Sequence, residues 1–122
     1  MPSLNRVHLI GNLGRDPQTR STPGGKKVTS FSVAVNRRWR SADGETKETT
    51  DWFQVETWGG LAEICQEYLS KGRLVYIEGR LQTDRYELEG ETRYSTKVVA
   101  RQVQMLDRKP DEELELPPDE EE

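Results

Sequence analysis

The chain has 122 residues, 32% of them hydrophobic and 33% charged, with a single cysteine, Cys65, and a single histidine, His8. That length suits one small domain plus a tail; the cysteine count excludes an intramolecular disulfide or a cysteine-based zinc site, and no apolar run approaches the roughly 20 residues of a membrane helix. The net charge of −4 is unevenly spread, because residues 107–122 hold nine acids against Arg108 and Lys109, net −7, while the remainder, with 16 basic and 13 acidic side chains, carries +3.

Apolar content this low predicts either a small, wet barrel or a body whose apolar surface is partly covered by another subunit. The opening MPSLNRVHLIGN has neither a basic leader nor a long apolar stretch, so a soluble, unprocessed cytoplasmic protein is expected. In Arg6–Asn12, Val7, Leu9 and Gly11 alternate with Arg6, His8 and Ile10, the pattern of a half-buried strand. After the turn-rich Thr22-Pro23-Gly24-Gly25, a second strand is predicted from Val28 to about Arg40, with Phe31, Val33 and Val35 on one face. By alternation Trp39 would join Val33 and Val35. A hairpin extending past the core is expected there, before Ser41-Ala42-Asp43-Gly44, and parity is then a weak guide.

The third predicted strand, Asp51–Gly59, puts Phe53, Val55 and Thr57 on one face and Trp52, Gln54, Glu56 and Trp58 on the other, since strand side chains alternate. With Phe53 and Val55 inward, both tryptophans face out. Leu61, Ile64, Cys65, Tyr68 and Leu69 fall at helical spacing, predicting an amphipathic helix over 61–70 with Lys71 and Gly72 as C-terminal signals. Two further strands, Leu74–Asp84 and Tyr94–Leu106, are joined by Arg85–Arg93, whose polarity suggests a projecting hairpin with its turn at Glu89-Gly90. Five strands with one helix between the third and fourth is the order of an all-β OB-fold, a five-stranded Greek-key barrel. Residues 1–106 form that domain, and 107–122, rich in acids and proline, are expected to be a disordered acidic tail.

Exposed aromatics interleaved with basic residues suit single-stranded nucleic acid. Stacking is available on every base, at about 1–3 kcal/mol each, and arginine or lysine neutralises phosphates. Trp52 and Trp58 are the first candidates, and Trp39 lies in Arg37-Arg38-Trp39-Arg40, where three guanidinium groups oppose burial. Tyr86 lies in the projecting hairpin. The alternative for any one tryptophan is a place in the core. Catalytic constellations are absent: His8 has no second histidine to share a metal, Cys65 lies on the apolar helix face as an inert thiol, and the body's carboxylates are scattered among lysines and arginines. Gly24-Gly25-Lys26-Lys27 leads into a strand and lacks the Ser/Thr of a phosphate loop. No enzyme, metal or cofactor is expected.

These segments taken together resemble the bacterial-type single-stranded DNA-binding proteins. The resemblance is carried by NRVHLIGNLGRDP (5–17), Trp39-Arg40, TDWFQVETWG (50–59), LAEICQEYLSKG (61–72), VYIEGRL (75–81) and RYSTKVVARQVQML (93–106). It implies base stacking on Trp39, Trp52, Trp58 and Tyr86, and phosphate contacts from Arg6, Arg20, Lys71 and Arg85 beside the cluster Arg37, Arg38 and Arg40. Gly60, Gln82 and Asp84 stand where the family is often basic, so a shallower salt dependence is expected, with the Arg37–Arg40 cluster as the candidate compensation. The resemblance also implies a homotetramer, with Phe53 and His8 as candidate interface residues, and a role coating single-stranded DNA in replication, recombination and repair. The family's tail usually ends in a hydrophobic tip that recruits replication and repair proteins. Here Leu114, Leu116, Pro117 and Pro118 precede Asp119, Glu120, Glu121 and Glu122, and that segment is the candidate partner-binding element. Two other readings stay open, a specialised paralogue and an OB-fold module whose aromatics dock a protein.

Overall fold

The computed structural model describes residues 1–107. Its elements in order are β1 (Val7–Leu13), β2 (Gln18–Ser21), β3 (Lys27–Arg40), β4 (Thr46–Trp58), α1 (Gly59–Tyr68), β5 (Leu74–Leu88) and β6 (Glu91–Met105). The strands run β1-β5-β6-β4-β3-β2, and a pairing of β1 with β3 through Asn12–Ala34 and Leu13–Val33 closes five of them into a barrel. All pairings are antiparallel except β4 with β6, which run parallel through Val55–Val98 and Glu56–Val99. This is the OB-fold, with α1 between the third and fourth barrel strands as expected. The sixth strand, β2, pairs only with β3. It escaped the sequence reading because Gln18-Thr19-Arg20-Ser21 is polar throughout and carries no apolar alternation.

Closure is tightest where strands approach without side chains. A Cβ on Gly11 would lie 2.2 Å from the Ala34 carbonyl oxygen, and one on Gly79 would lie 2.2 Å from that of Val99. Gly79 adjoins a bulge after Glu78, where β5 shifts register against β6 and bends the sheet. The core collects Leu9, Phe31, Val33, Val55, Ile77, Val98 and Met105, with Leu61, Cys65 and Leu69 from the helical segment. Thr29 and Thr57 are buried as well, each satisfied by a carbonyl: Thr29 donates to Ala62 O at 2.7 Å and Thr57 to Thr29 O at 2.9 Å.

Three boundaries differ from the sequence reading. β4 begins at Thr46, and β5 and β6 run through the expected hairpin over Arg85–Arg93 as ladder almost to its tip, with Glu89 and Gly90 both at positive φ in the tight turn, as expected for that pair. Paired backbones extend β3–β4 and β5–β6 beyond the core as two long ribbons, which apolar periodicity cannot signal because neither ribbon face is buried there. The helix ends at Tyr68, which is 39% exposed, so the buried stripe is Leu61, Cys65 and Leu69 with Ile64 partly covered. Asp107 remains tied to the body, accepting from the Leu74 N–H at 3.2 Å and pairing with Arg73. The tail residues Leu114, Leu116, Pro117, Pro118 and Asp119–Glu122 lie outside the described residues.

Cys65 is fully buried, and burial pushes its thiol up to about 12. Its thiolate is therefore scarce at neutral pH. We expect a thiol reagent at pH 8 to modify Cys65 only through opening of the barrel, orders of magnitude more slowly than in denaturant. Immediate labelling of the native protein would contradict this placement.

Candidate nucleic-acid interface

Strand alternation decides which rings can act together. On β4, Trp52, Gln54, Glu56 and Trp58 share the outer face, opposite Phe53, Val55 and Thr57, which line the core side. Register carries this face across the barrel, since Glu56 pairs with Val99 of β6 and Val99 with Arg80 of β5. Three positions further along the same face of β5 stands Tyr86. Trp52 is 60% exposed, Tyr86 is exposed and Trp58 is half-buried. The two tryptophans expected to face outward do so.

Trp39 is placed differently. The β3–β4 ladder runs without a break to Arg40–Thr46, so parity holds to the ribbon's end and puts Trp39 with Arg37 on the side of Val33 and Val35. The ring is exposed there because no core remains beneath it. Its Nε1 donates to Thr49 Oγ1 at 3.4 Å, and the Lys47 ammonium lies 5.8 Å from the ring centre, a cation–π contact. Arg38 and Arg40 fall on the Trp52 side. Alternation thus splits the Arg37–Arg40 cluster between two faces.

Several of the sequence-predicted cations already have carboxylate partners: Arg6 with Glu78 at 2.9 Å, Arg37 with Asp51 at 2.9 Å, Arg38 with Glu48 at 3.1 Å and Arg20 with Glu56 at 3.4 Å. Arg40 and Arg85 have no ion-pair partner among the described residues. Lys71 lies in the α1–β5 loop, where its N–H donates to Asp16 Oδ1 at 2.8 Å and ties that loop to the β1–β2 turn. The turn also brings Arg15 to Trp52, a residue the sequence reading missed. Arg15, Gly14, Ser32, Gln54 and Trp52 line an open groove of about 300 Å³. Its only sequence signal was a basic residue in a glycine-containing turn.

Trp52 rests on Gly14. A Cβ at that glycine would meet the ring's Cζ3 at 2.4 Å and Cη2 at 2.8 Å, so the indole's resting position depends on the missing side chain. We expect Gly14→Ala to displace the ring and weaken oligo-dT binding roughly 3- to 10-fold, a fraction of one stacking interaction, with little change in melting temperature. Titration and melting of the same sample check both halves of the statement.

The remaining surprise is an acid. Glu56 is buried on the outer face between Gln54 and Trp58, and it accepts from Trp58 Nε1 at 3.1 Å, from Lys97 Nζ at 3.1 Å and from Arg20 at 3.4 Å. Lys97 also pairs with Asp84 at 3.0 Å. Burial works against the Lys97 ammonium, but hydrogen bonds to Asp84 and Glu56 outweigh it and hold its pKa above the ordinary lysine value. Hydrogen bonds from Gln82 and Lys97 hold Asp84 below the usual carboxylate range.

Of the two candidate interface residues, Phe53 is half-buried against the core. His8 is exposed on β1, with Nδ1 2.8 Å from the Tyr76 hydroxyl and its ring stacked on that tyrosine. Among the described residues no group of three or more His, Cys, Asp or Glu could hold a metal ion, and no helix is long and apolar enough to cross a membrane.

Comparison with known proteins bears on the family and the fold. The family model described as single-strand binding protein family matches residues 4–106. The chain is 44% identical over 108 residues to single-stranded DNA-binding protein 1 of Chlorobaculum tepidum, covering 87% of this chain and 67% of that protein. It is 45% identical over 125 residues to the single-stranded DNA-binding protein of Thermotoga maritima, covering 96% and 89%. Among solved structures, a Plasmodium falciparum SSB in complex with single-stranded DNA superposes with a TM-score of 0.82 at 32% identity, covering 88% of this chain and 98% of that one. The proteins of this family bind DNA and are not enzymes, in agreement with the reading of the chain as a non-enzyme. Barrel order, outward-facing aromatic strand and matched residues converge, and the chain belongs to the single-strand binding protein family.

Proposed function

We infer that this protein binds single-stranded DNA without sequence preference, stacking bases on Trp52, Trp58 and Tyr86 along one face of the barrel and on Trp39 where the strand passes over the β3–β4 ribbon. One observation carries the reading: a 60%-exposed indole, Trp52, shares a continuous sheet face with Trp58 and Tyr86, beside a groove that also holds Arg15. Rings gathered on one outward face, rather than scattered singly, mark an interaction surface, and bases of any sequence offer them π-faces. Arg15, Arg40, Lys71 and Arg85 supply the phosphate contacts, joined by Arg6, Arg37 and Arg38 where a phosphate displaces their carboxylate partners.

The family relationship supports a homotetramer, with Phe53 and His8 near subunit contacts. It also supports work in replication, recombination and repair on the cytoplasmic nucleoid. The acidic segment after the barrel, with Leu114, Leu116, Pro117, Pro118 and Asp119–Glu122, recruits partner proteins and competes with DNA for the basic surface. Deleting residues 108–122 is therefore expected to tighten binding of a short oligonucleotide at low salt, and unchanged affinity would remove that role.

The deciding experiment is tryptophan fluorescence titration of the intact protein with oligo-dT of several lengths. Strong quenching by the single strand and none by duplex of equal length is expected. If poly(dT) leaves the emission unaltered, the aromatic face is a docking surface for protein instead.

A further inference from the structure

A surface that receives phosphates gains nothing from a carboxylate at its centre, yet Glu56 sits there. Among the described residues it is the one charged side chain in the buried set, 9% exposed. Each donor that reaches it belongs to the aromatic face: the Trp58 indole at 3.1 Å, Lys97 at 3.1 Å and Arg20 at 3.4 Å. Lys97 is gripped on its other side by Asp84 at 3.0 Å. Two acids therefore offset two cations, and the cluster is neutral as a whole. A DNA phosphate would compete with the carboxylate for the same N–H groups, because both are charge-assisted acceptors of similar strength.

We propose that Glu56 is a positioning residue of the DNA face, fixing the Trp58 indole and retaining Arg20 and Lys97 as internal partners, so that this part of the interface stacks bases without adding to counterion release. The proposal rests on the reading of the face as a single-strand interface. It reverses the expectation that Arg20 contacts phosphate in the native protein. Lys97, largely covered and held from two sides, stays put whatever happens to Glu56. Arg20 is 60% exposed with the longest contact of the set, and is the cation that neutralising Glu56 sets free.

Charge variants test this without disturbing the core. Glu56→Gln keeps an oxygen for the Trp58 N–H and removes the charge. Its plot of log affinity against log salt should steepen by about 0.7, an additional loss of roughly 2- to 3-fold between about 50 and about 200 mM salt. Arg20→Gln alone, a surface change that spares folding, should leave the native slope unaltered, and the double variant should return to it. A slope in Glu56→Gln equal to that of the native protein overturns the proposal, as does a slope about 0.7 shallower in Arg20→Gln alone.

A measurement without DNA separates this inference from the functional reading. With Trp39→Phe and Trp52→Phe, emission comes from Trp58 alone of the three tryptophans. Glu56→Gln in that background should raise quenching by iodide, an anion, while leaving quenching by neutral acrylamide unchanged. Equal iodide quenching with and without the Glu56 charge overturns the charge arrangement. If the native protein fails to bind oligo-dT, the functional reading falls while the quenching result still decides the arrangement.

Discussion

Trp52→Ala should cost about 1–3 kcal/mol of binding to oligo-dT, roughly a 5- to 150-fold loss of affinity, with no change in fold. The ring is 60% exposed and sits on the outer face of β4, so its removal opens no core cavity. It carries no charge, so the slope of log affinity against log salt should stay at the native value while the whole line drops. That combination separates stacking from phosphate contact. Arg40→Ala, on the same side of the β3–β4 ribbon and without an ion-pair partner among the described residues, should flatten the slope instead. Fluorescence or anisotropy titration at several salt concentrations measures both quantities at once. Affinity unmoved by the loss of Trp52 would remove the ring from the binding surface.

Gly79→Ala is expected to be among the most destabilising single substitutions in the barrel. The added Cβ would stand 2.2 Å from the Val99 carbonyl oxygen and 2.9 Å from Ala100 Cα, and both neighbours are backbone of the adjacent strand, which cannot swing aside as a side chain can. Overpacking against a fixed neighbour typically costs about 1–3 kcal/mol, and clashes this close belong at the upper end or beyond. The corresponding fall in melting temperature is on the order of 10 °C or more for a domain of this size. Gly60→Ala is the control: nothing lies within 4 Å of its Cβ, and the position is inside α1. A gain of about 0.5–1 kcal/mol is expected there from helix propensity. Melting curves at one protein concentration compare the two, since association would shift both alike.

Local pattern alone was enough to read much of this molecule. The period of two in Phe53, Val55 and Thr57 against Trp52 and Trp58 separates core from surface on β4, and the spacing of Leu61, Cys65 and Leu69 marks the helix. Together with the order of the segments these specify the barrel, because one apolar face per element leaves few ways to bury them all. What the pattern left out has a common physical cause. β2 and both ribbon ends are held by backbone hydrogen bonds without a buried face, so no apolar alternation records them.

The site divides in the same way. Exposure of Trp52 and Trp58 follows from alternation along one strand, a local property of the chain. The location of Trp39 depends on whether the β3–β4 ladder keeps its register beyond the core, which is a matter of pairing between strands. Glu56, Lys97, Asp84 and Arg20 come from four different strands and meet because β4 pairs with β6, β6 with β5 and β2 packs beside β3. Period and composition in the sequence determined which residues face inward and that exposed rings are interleaved with cations. Only the tertiary structure decided which cations a carboxylate already holds, since that depends on contacts between strands far apart in the chain.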